Sequence, residues 1–203
     1  ALMRPQLPTL RSPLTVMQLA SEMGRLYDIE KLTFFRACEC YEELEAAGKL
    51  DADALIFVNS IASVSLSNED WASYCEAHSA ILPKLVVEIT EEEEMNEREL
   101  ERKRNVPGSS GVFALDDYGS GYSNGNSLLT IAPKYVKVDI AIIRGIDTDA
   151  DKQQFLMTLI DYAHPRGVQV LAEGVETLSE LRKVLEMGVD PVSYTHLRAH
   201  ETS

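Results

Sequence analysis

The chain has 203 residues, of which 45% are hydrophobic, and its formal net charge at pH 7 is −14. This length is enough to bury one sizeable core, whereas the negative charge argues against a nucleic-acid duplex or an anionic membrane as partner. The chain contains no apolar run long enough to predict a membrane span, and its three cysteines form no Cys-x-x-Cys motif. We therefore expect a cytoplasmic domain with reduced thiols, leaving open whether a longer protein is attached to a membrane.

In chain order, two helical patterns at residues 12–24 and 29–48 come first, and apolar runs then alternate with helical segments. The predicted strands are residues 54–60, 84–90, 111–117, 134–140 and 168–174. The helices predicted between and after these strands are residues 68–78, 96–104, 151–164 and 178–188. Strands that are apolar almost throughout and that alternate with helices predict a parallel sheet covered by helices.

Polar residues at the ends of these strands favour a barrel over a doubly wound sheet. They are Asn59, Glu88, Asp116, Asp117, Lys137, Asp139 and Glu173. A TIM-type (β/α)8 barrel builds its site from the carboxyl ends of several strands, whereas a doubly wound sheet concentrates polar groups at one switch point. Because a complete barrel has about 250 residues, we expect an incomplete one here, with the first strands missing.

The same residues predict a metal centre. Carboxylate and amide oxygens are hard ligands that suit Mg²⁺ or Mn²⁺, and the adjacent Asp116 and Asp117 could each contact a different ion of a pair. Lys137 could neutralise a phosphoryl group, and Glu173 could bind metal or act as general base. A helix cap followed by a turn is the alternative for the two aspartates, and a structural ion pair is the alternative for Lys137 and Asp139.

Six segments give the chain a family resemblance. They are ALMRP at 1–5, FVNS at 57–60, VEITE at 87–91, FALDDYGSGYS at 113–123, YVKVD at 135–139 and LAEGVET at 171–177. With these motifs in this order, the chain resembles the EAL family of cyclic-di-GMP phosphodiesterases. The resemblance implies two Mg²⁺ or Mn²⁺ ions as cofactors, and we expect Ca²⁺ to inhibit.

The resemblance also implies a role for each matching residue. Asn59, Glu88, Asp116 and Glu173 fall on metal-ligand positions, and Asp117 falls on the second-metal position with Asp139 beside it. Lys137 matches the catalytic lysine, and Glu173 also matches the general base. Arg4 matches an arginine that contacts a substrate phosphate, and Glu91 matches a glutamate that steadies the DDYGSGY loop.

The two ends of the chain depart from the family pattern. The family is named for Glu-Ala-Leu, but the chain starts at Ala1, so the glutamate would precede it; Ser193 stands where the family has glutamine. Residues 192–203 resemble translated adapter or vector sequence. We therefore expect a partial EAL domain at 1–191, a non-family tail at 192–203, and weak or absent hydrolysis by this chain alone.

Three functions remain open from the sequence. The first is metal-dependent hydrolysis of cyclic-di-GMP to the linear dinucleotide pGpG. The second is a catalytically inactive module that binds cyclic-di-GMP and regulates, and the third is another metal-dependent barrel enzyme, such as a lyase. Expected partners are cyclic-di-GMP, other signalling domains fused to or regulating this one, and, as an open alternative, a second copy in a homodimer.

Overall fold

The computed structural model describes residues 12–90, 97–120 and 126–190, which divide into two units. The first unit comprises residues 12–89 and 97–113, and the second comprises residue 90, 114–120 and 126–190. Arg4, Glu91 and the predicted tail at 192–203 lie outside the described residues. Their predicted roles therefore stay predictions.

The first unit is built on two parallel strands and four α-helices within its described residues. These elements are α1 (Pro13–Glu22), α2 (Leu26–Ala46), β1 (Ile56–Asn59), α3 (Asn68–Ala77), β2 (Leu85–Thr90) and α4 (Glu97–Arg104); the last residue of β2 belongs to the second unit. The strands β1 and β2 pair in parallel from Ile56 opposite Leu85 to Asn59 opposite Glu88. The side chains of both strands are almost all buried, and α2 packs against β1.

Aromatic residues fill the core between α2 and α3. Phe34 is fully buried, and its ring lies edge-on to Trp71 and Tyr74, with centroids 5.3 and 5.8 Å apart. This edge-to-face arrangement is favourable because the positive edge of one ring meets the negative face of the other. The position of α3 is set locally as well, since the Ser67 hydroxyl accepts a hydrogen bond from the backbone N–H of Asp70 and caps the helix.

The second unit contains three parallel strands and four helices among its described residues. They are β3 (Val112–Tyr118), α5 (Asn126–Ile131), β4 (Tyr135–Val138), α6 (Ile140–Ile143), α7 (Ala150–Ala163), β5 (Gln169–Ala172) and α8 (Leu178–Glu186); the first two residues of β3 belong to the first unit. The strand β4 lies between β3 and β5 and pairs with both in parallel. All three carboxyl ends therefore lie at the same edge.

The predicted strands are confirmed, each within a few residues of its observed bounds, and so is the α/β class. One boundary is wrong: the predicted strand at 134–140 ends at Val138, because Asp139 caps the short helix α6. The sequence analysis also missed α5 and α6, which are too short to show a helical period. Across the described ranges, no helix is both long enough and apolar enough to cross a membrane.

Candidate metal centre

The strand β3 is irregular at the two aspartates. Leu115 lies opposite Val136 and Tyr118 lies opposite Val138, so two residues of β3, Asp116 and Asp117, face a single residue of β4. Such an extra residue is a β-bulge, which redirects the side chains around it. Asp117 has φ +55°, in the left-handed region that few residues other than glycine adopt. The bulge thus breaks the alternation of faces that a regular strand would impose on neighbouring residues.

The result is a cluster of carboxylates. Oxygen atoms of Asp116, Asp117 and Glu173 all lie within 4.8 Å of one another. Asp116 is buried, while Asp117 and Glu173 are partly exposed, so the group opens toward solvent on one side. Oxygen donors at this spacing are suited to hard divalent cations such as Mg²⁺ and Mn²⁺.

Lys137 is a cation that faces this cluster. It lies in β4 between the fully buried Val136 and Val138, so its side chain points to the other face of the sheet. Its Nζ lies 2.8 Å from Asp116 Oδ1 and 2.6 Å from Glu173 Oε1. One lysine thus joins carboxylates from β3 and from the end of β5, and its side chain is only 15% exposed.

A single lysine does not balance the negative charge. The pKa of Asp117 is raised from 3.8 to about 6, first by burial and then by the charges of Asp116, Glu173 and Asp139, while Lys137 acts in the opposite direction. Burial and the neighbouring carboxylates thus both make the charged form of Asp117 less favourable. Added positive charge would relieve this repulsion, as a bound divalent ion does.

Glu173 is held by the loop that follows β5. Its backbone N–H donates to the Val138 carbonyl, which continues the pairing of β5 with β4 by one residue. Gly174 comes next with φ +64°, and a Cβ atom at this position would lie 2.4 Å from Cγ1 of Ile140. Only glycine lets the backbone pass this close to α6, and the close approach limits where Glu173 can point.

Glu180 anchors the same loop, and the sequence analysis missed this role. Its buried carboxylate accepts hydrogen bonds from the backbone N–H groups of Gly145, Glu176 and Thr177. These bonds lower the pKa of Glu180, and the bond from Gly145 has the largest effect. Thr177 in turn caps α8 through the N–H of Glu180, which completes a capping box. The Thr-x-x-Glu spacing in the sequence was the available signal.

Asp139 has a local structural role as well as an electrostatic one. Its side chain accepts a hydrogen bond from the Ala141 N–H at 2.8 Å and caps α6, and its own N–H donates to the Tyr118 carbonyl. Among the described residues, it is not in the group of three whose oxygens converge. Its predicted role as a metal ligand therefore stays a prediction, and helix capping is the role that its contacts show.

Asn59 and Glu88 lie in the first unit, Asn59 as the last residue of β1 and Glu88 two residues before the end of β2. They are direct neighbours in the parallel register, and Glu88 is only 4% exposed. The N–H of Ser60, which follows Asn59, donates to the Glu88 carbonyl at 2.9 Å. The structure thus places both predicted ligands side by side, while their joining the carboxylates of the second unit stays a prediction.

Comparison with protein families gives a match along nearly the whole chain. The EAL domain family model matches residues 1–193. A relative in Escherichia coli (strain K12), the probable cyclic di-GMP phosphodiesterase PdeG, is 34% identical over 99 residues, which is 48% of this chain and 20% of the relative. The signaling protein YkoW of Bacillus subtilis (strain 168) is 27% identical over 187 residues, or 89% of this chain and 23% of the relative. The chain thus spans about a fifth of the length of these curated relatives.

Solved structures give the same fold. The c-di-GMP complex of PaMucR phosphodiesterase matches with a TM-score of 0.76 at 23% identity, covering 94% of this chain and 79% of that one. The manganese/cy-diGMP complex of Klebsiella pneumoniae BlrP1 matches with a TM-score of 0.70 at 22% identity, covering 90% of this chain and 46% of that one. These likenesses confirm the predicted TIM-type barrel architecture.

Proposed function

The chain belongs to the EAL domain family, and we propose that it is the phosphodiesterase domain of a larger signalling protein, which hydrolyses cyclic-di-GMP to linear pGpG with two Mg²⁺ or Mn²⁺ ions. The observation that carries the proposal is the convergence of Asp116, Asp117 and Glu173 at the edge where Lys137 lies. Without bound cations, a carboxylate cluster of this kind repels the negatively charged phosphodiester. It becomes suitable for one when cations occupy it.

The donor set fits divalent metal ions. Asp116, Asp117 and Glu173 offer oxygen atoms within 4.8 Å of one another, and the pKa of Asp117 is raised first by burial and then by the neighbouring carboxylates. Asn59, Glu88 and Asp139 are proposed to complete the ligand set, with Asp117 on the second ion. When bound, the ions polarise the phosphoryl oxygens and lower the pKa of a bound water.

Two side chains of the chain itself have proposed roles in hydrolysis. Glu173 accepts a proton from the attacking water while the water oxygen forms a bond to phosphorus. The bond from phosphorus to the 3′-oxygen breaks, and that oxygen takes up a proton from solvent to become a hydroxyl. Lys137 neutralises the negative charge that accumulates on the phosphoryl oxygens in the transition state. Its ion pairs with Asp116 and Glu173 hold Lys137 at this edge before substrate arrives. Preorganised charge of this type costs little rearrangement during the reaction.

Further contacts are proposed from the family motifs. Arg4 is proposed to bind a substrate phosphate, and Glu91 to steady the loop after β3. A cytosolic location is supported by the cysteines, since Cys38, Cys40 and Cys75 are free thiols. We also propose, from the short span of the chain on its relatives, that further signalling domains accompany it in the whole protein.

The test is product analysis with the protein expressed with its native flanking sequence. Cyclic-di-GMP is incubated with Mg²⁺, with Mn²⁺ and with a chelator, and the products are separated by ion-exchange chromatography. We expect pGpG with either ion and none with the chelator, and Asp116→Asn should slow its formation by about 100-fold or more. Tight binding of cyclic-di-GMP without any cleavage would instead identify a regulatory binding module, and absence of both would contradict the proposal.

A further inference from the structure

A charged pair lies in the interior of the first unit. Glu30 of α2 and Lys103 of α4 each have a side chain only 1% exposed, and Lys103 Nζ lies 2.7 Å from Glu30 Oε1. Charged residues are seldom buried to this extent unless they are paired and hydrogen-bonded. The two residues are 73 positions apart in the chain, so the sequence alone does not reveal the pair.

Within the described part of the chain, the other hydrogen bonds of the pair go to one short segment, residues 60–61. Glu30 accepts the Ser60 hydroxyl at 2.6 Å and the Ile61 N–H at 2.8 Å. Lys103 donates to the Ser60 hydroxyl oxygen and, at 2.8 Å, to the Ile61 carbonyl. The backbone and side chain of residues 60–61 are therefore held from two helices at once. A network whose polar groups are satisfied in this way restricts the segment to one conformation.

This segment directly follows the predicted metal ligand Asn59. It also reaches the second predicted ligand in the same unit, because the Ser60 N–H donates to the Glu88 carbonyl at 2.9 Å. Asn59 and Glu88 lie opposite each other in the parallel register. The buried pair thus holds the segment that follows β1, and that segment is hydrogen-bonded to Glu88 of β2.

Stability by itself does not account for charges at this position. The cost of removing two charges from water often exceeds the gain from pairing them, and apolar residues of similar volume are frequently as stable. The charged groups do supply something apolar ones lack, namely directional hydrogen bonds to residues 60–61. Groups behind metal ligands are known to act in this manner, by fixing the orientation of the ligands.

We propose that Glu30, Lys103 and Ser60 are positioning residues for the metal centre: they hold the end of β1 beside Glu88 of β2, so that Asn59 and Glu88 present their oxygens in a fixed geometry. The inference rests on the proposed function, because it assumes that these two residues bind metal. It adds to that function a set of residues that would contact neither metal nor substrate.

The experiment compares metal affinity with stability in matched variants. The double variant Glu30→Leu/Lys103→Met removes both charges and keeps apolar volume, and Ser60→Ala removes only the hydroxyl that links the pair to the strand end. The control is Tyr74→Phe, which removes a buried hydrogen bond to Cys38 in the same unit but has no bond to residues 59–61. Mn²⁺ binding is measured by titration calorimetry, and unfolding is measured in urea.

The double variant should unfold at a lower urea concentration than wild type, because Ser60 and Ile61 lose hydrogen-bond partners, and it should bind Mn²⁺ about 10-fold more weakly or worse. Ser60→Ala should weaken Mn²⁺ binding in the same direction. Tyr74→Phe should lower the unfolding midpoint without changing Mn²⁺ affinity, since its hydrogen bond is structural only.

Unchanged Mn²⁺ affinity in both test variants, beside measurable binding by wild type, would overturn the positioning role and leave the proposed function intact. Absence of Mn²⁺ binding by wild type would overturn the metal centre itself and the positioning role with it. If the double variant does not fold, Ser60→Ala decides alone, because it keeps the ion pair and changes a single small side chain.

Discussion

Asp116 and Asp117 are consecutive residues of β3, yet their carboxylate oxygens lie within 4.8 Å of each other. In a regular strand, neighbouring side chains point to opposite faces. The bulge opposite Lys137 and the left-handed backbone of Asp117 remove that constraint. The protein thus stores backbone strain and like-charge repulsion at the same residue, and both should be measurable.

The first prediction concerns the charge of Asp117. Its folded-state pKa of about 6 lies above the ordinary 3.8, so the native state binds a proton more tightly than the unfolded chain. Ionisation then costs stability as the pH rises from about 4 through about 6. With a chelator present, Asp117→Asn should unfold at a higher urea concentration than wild type at pH 8, and the difference should shrink toward pH 4.

The pH series separates charge from strain. Asparagine also tolerates the left-handed backbone better than most residues, and that benefit does not depend on pH. A stabilisation by Asp117→Asn that is equal at pH 4 and pH 8 would therefore assign the effect to φ +55° and not to the carboxylate cluster.

The second prediction concerns Lys137. Lys137→Met leaves Asp116 and Glu173 without their cation. Without metal, we expect the free energy of unfolding to fall by about 1–3 kcal/mol, which is less than for a fully buried pair because Glu173 is partly exposed. We also expect turnover to fall at least about 100-fold. The control is Lys134→Met, which removes an exposed lysine that donates to the Gly167 carbonyl. Equal effects of the two substitutions would contradict the special role of Lys137.

The third prediction separates chemistry from binding. In the protein with its native flanks, Asp116→Asn and Glu173→Gln should each lower turnover by about 100-fold or more. Nucleotide binding should change less, because both side chains are proposed to act on charge that develops only in the transition state. Steady-state kinetics measures turnover, and equilibrium titration with cyclic-di-GMP measures nucleotide binding. Asp161→Asn, on the exposed side of α7, serves as the charge-matched control. Parallel losses of binding and turnover would argue for a ground-state binding role.

The fourth prediction concerns metal choice. Mg²⁺ and Mn²⁺ should raise the thermal midpoint of unfolding and support cleavage, because either ion would offset the repulsion between neighbouring carboxylates, which adds to burial in raising the pKa of Asp117. Ca²⁺ should raise the midpoint too but inhibit, since its longer and looser coordination misplaces the reacting groups. A thermal-shift series with a chelator control is run beside product analysis. Identical midpoints with all three ions and with the chelator would remove the support for a metal centre.

The fifth prediction concerns Gly174. In Gly174→Ala, the new Cβ would lie 2.4 Å from Ile140 Cγ1 and 2.9 Å from Ile140 Cβ, so the loop carrying Glu173 must shift. Gly48 has the same φ of +64°, but a Cβ added there would meet nothing within 4 Å, which makes Gly48→Ala a control for the left-handed backbone alone. That backbone cost is about 1–2 kcal/mol. Gly174→Ala should destabilise beyond it and also lower turnover, and equal destabilisation by both substitutions would show that the contact with Ile140 is unimportant.

The sequence by itself was sufficient for the order of strands and helices. Runs such as 84–90 are apolar almost throughout, and that property comes from burial on both faces of a parallel sheet. It was also sufficient to select the polar residues at strand ends, since chain direction alone puts the carboxyl ends of parallel strands at one edge. These features depend on local pattern, which can be read one segment at a time.

Tertiary structure decided how those residues meet. The bulge at Asp116 and Asp117 exists only in the register of β3 against β4, and the partners of Lys137 come from two other strand ends. The buried pair of Glu30 and Lys103 joins helices through residues 73 positions apart. Each is a long-range contact, and its energy depends on burial and on the charges nearby. Neither quantity is defined until the chain has folded.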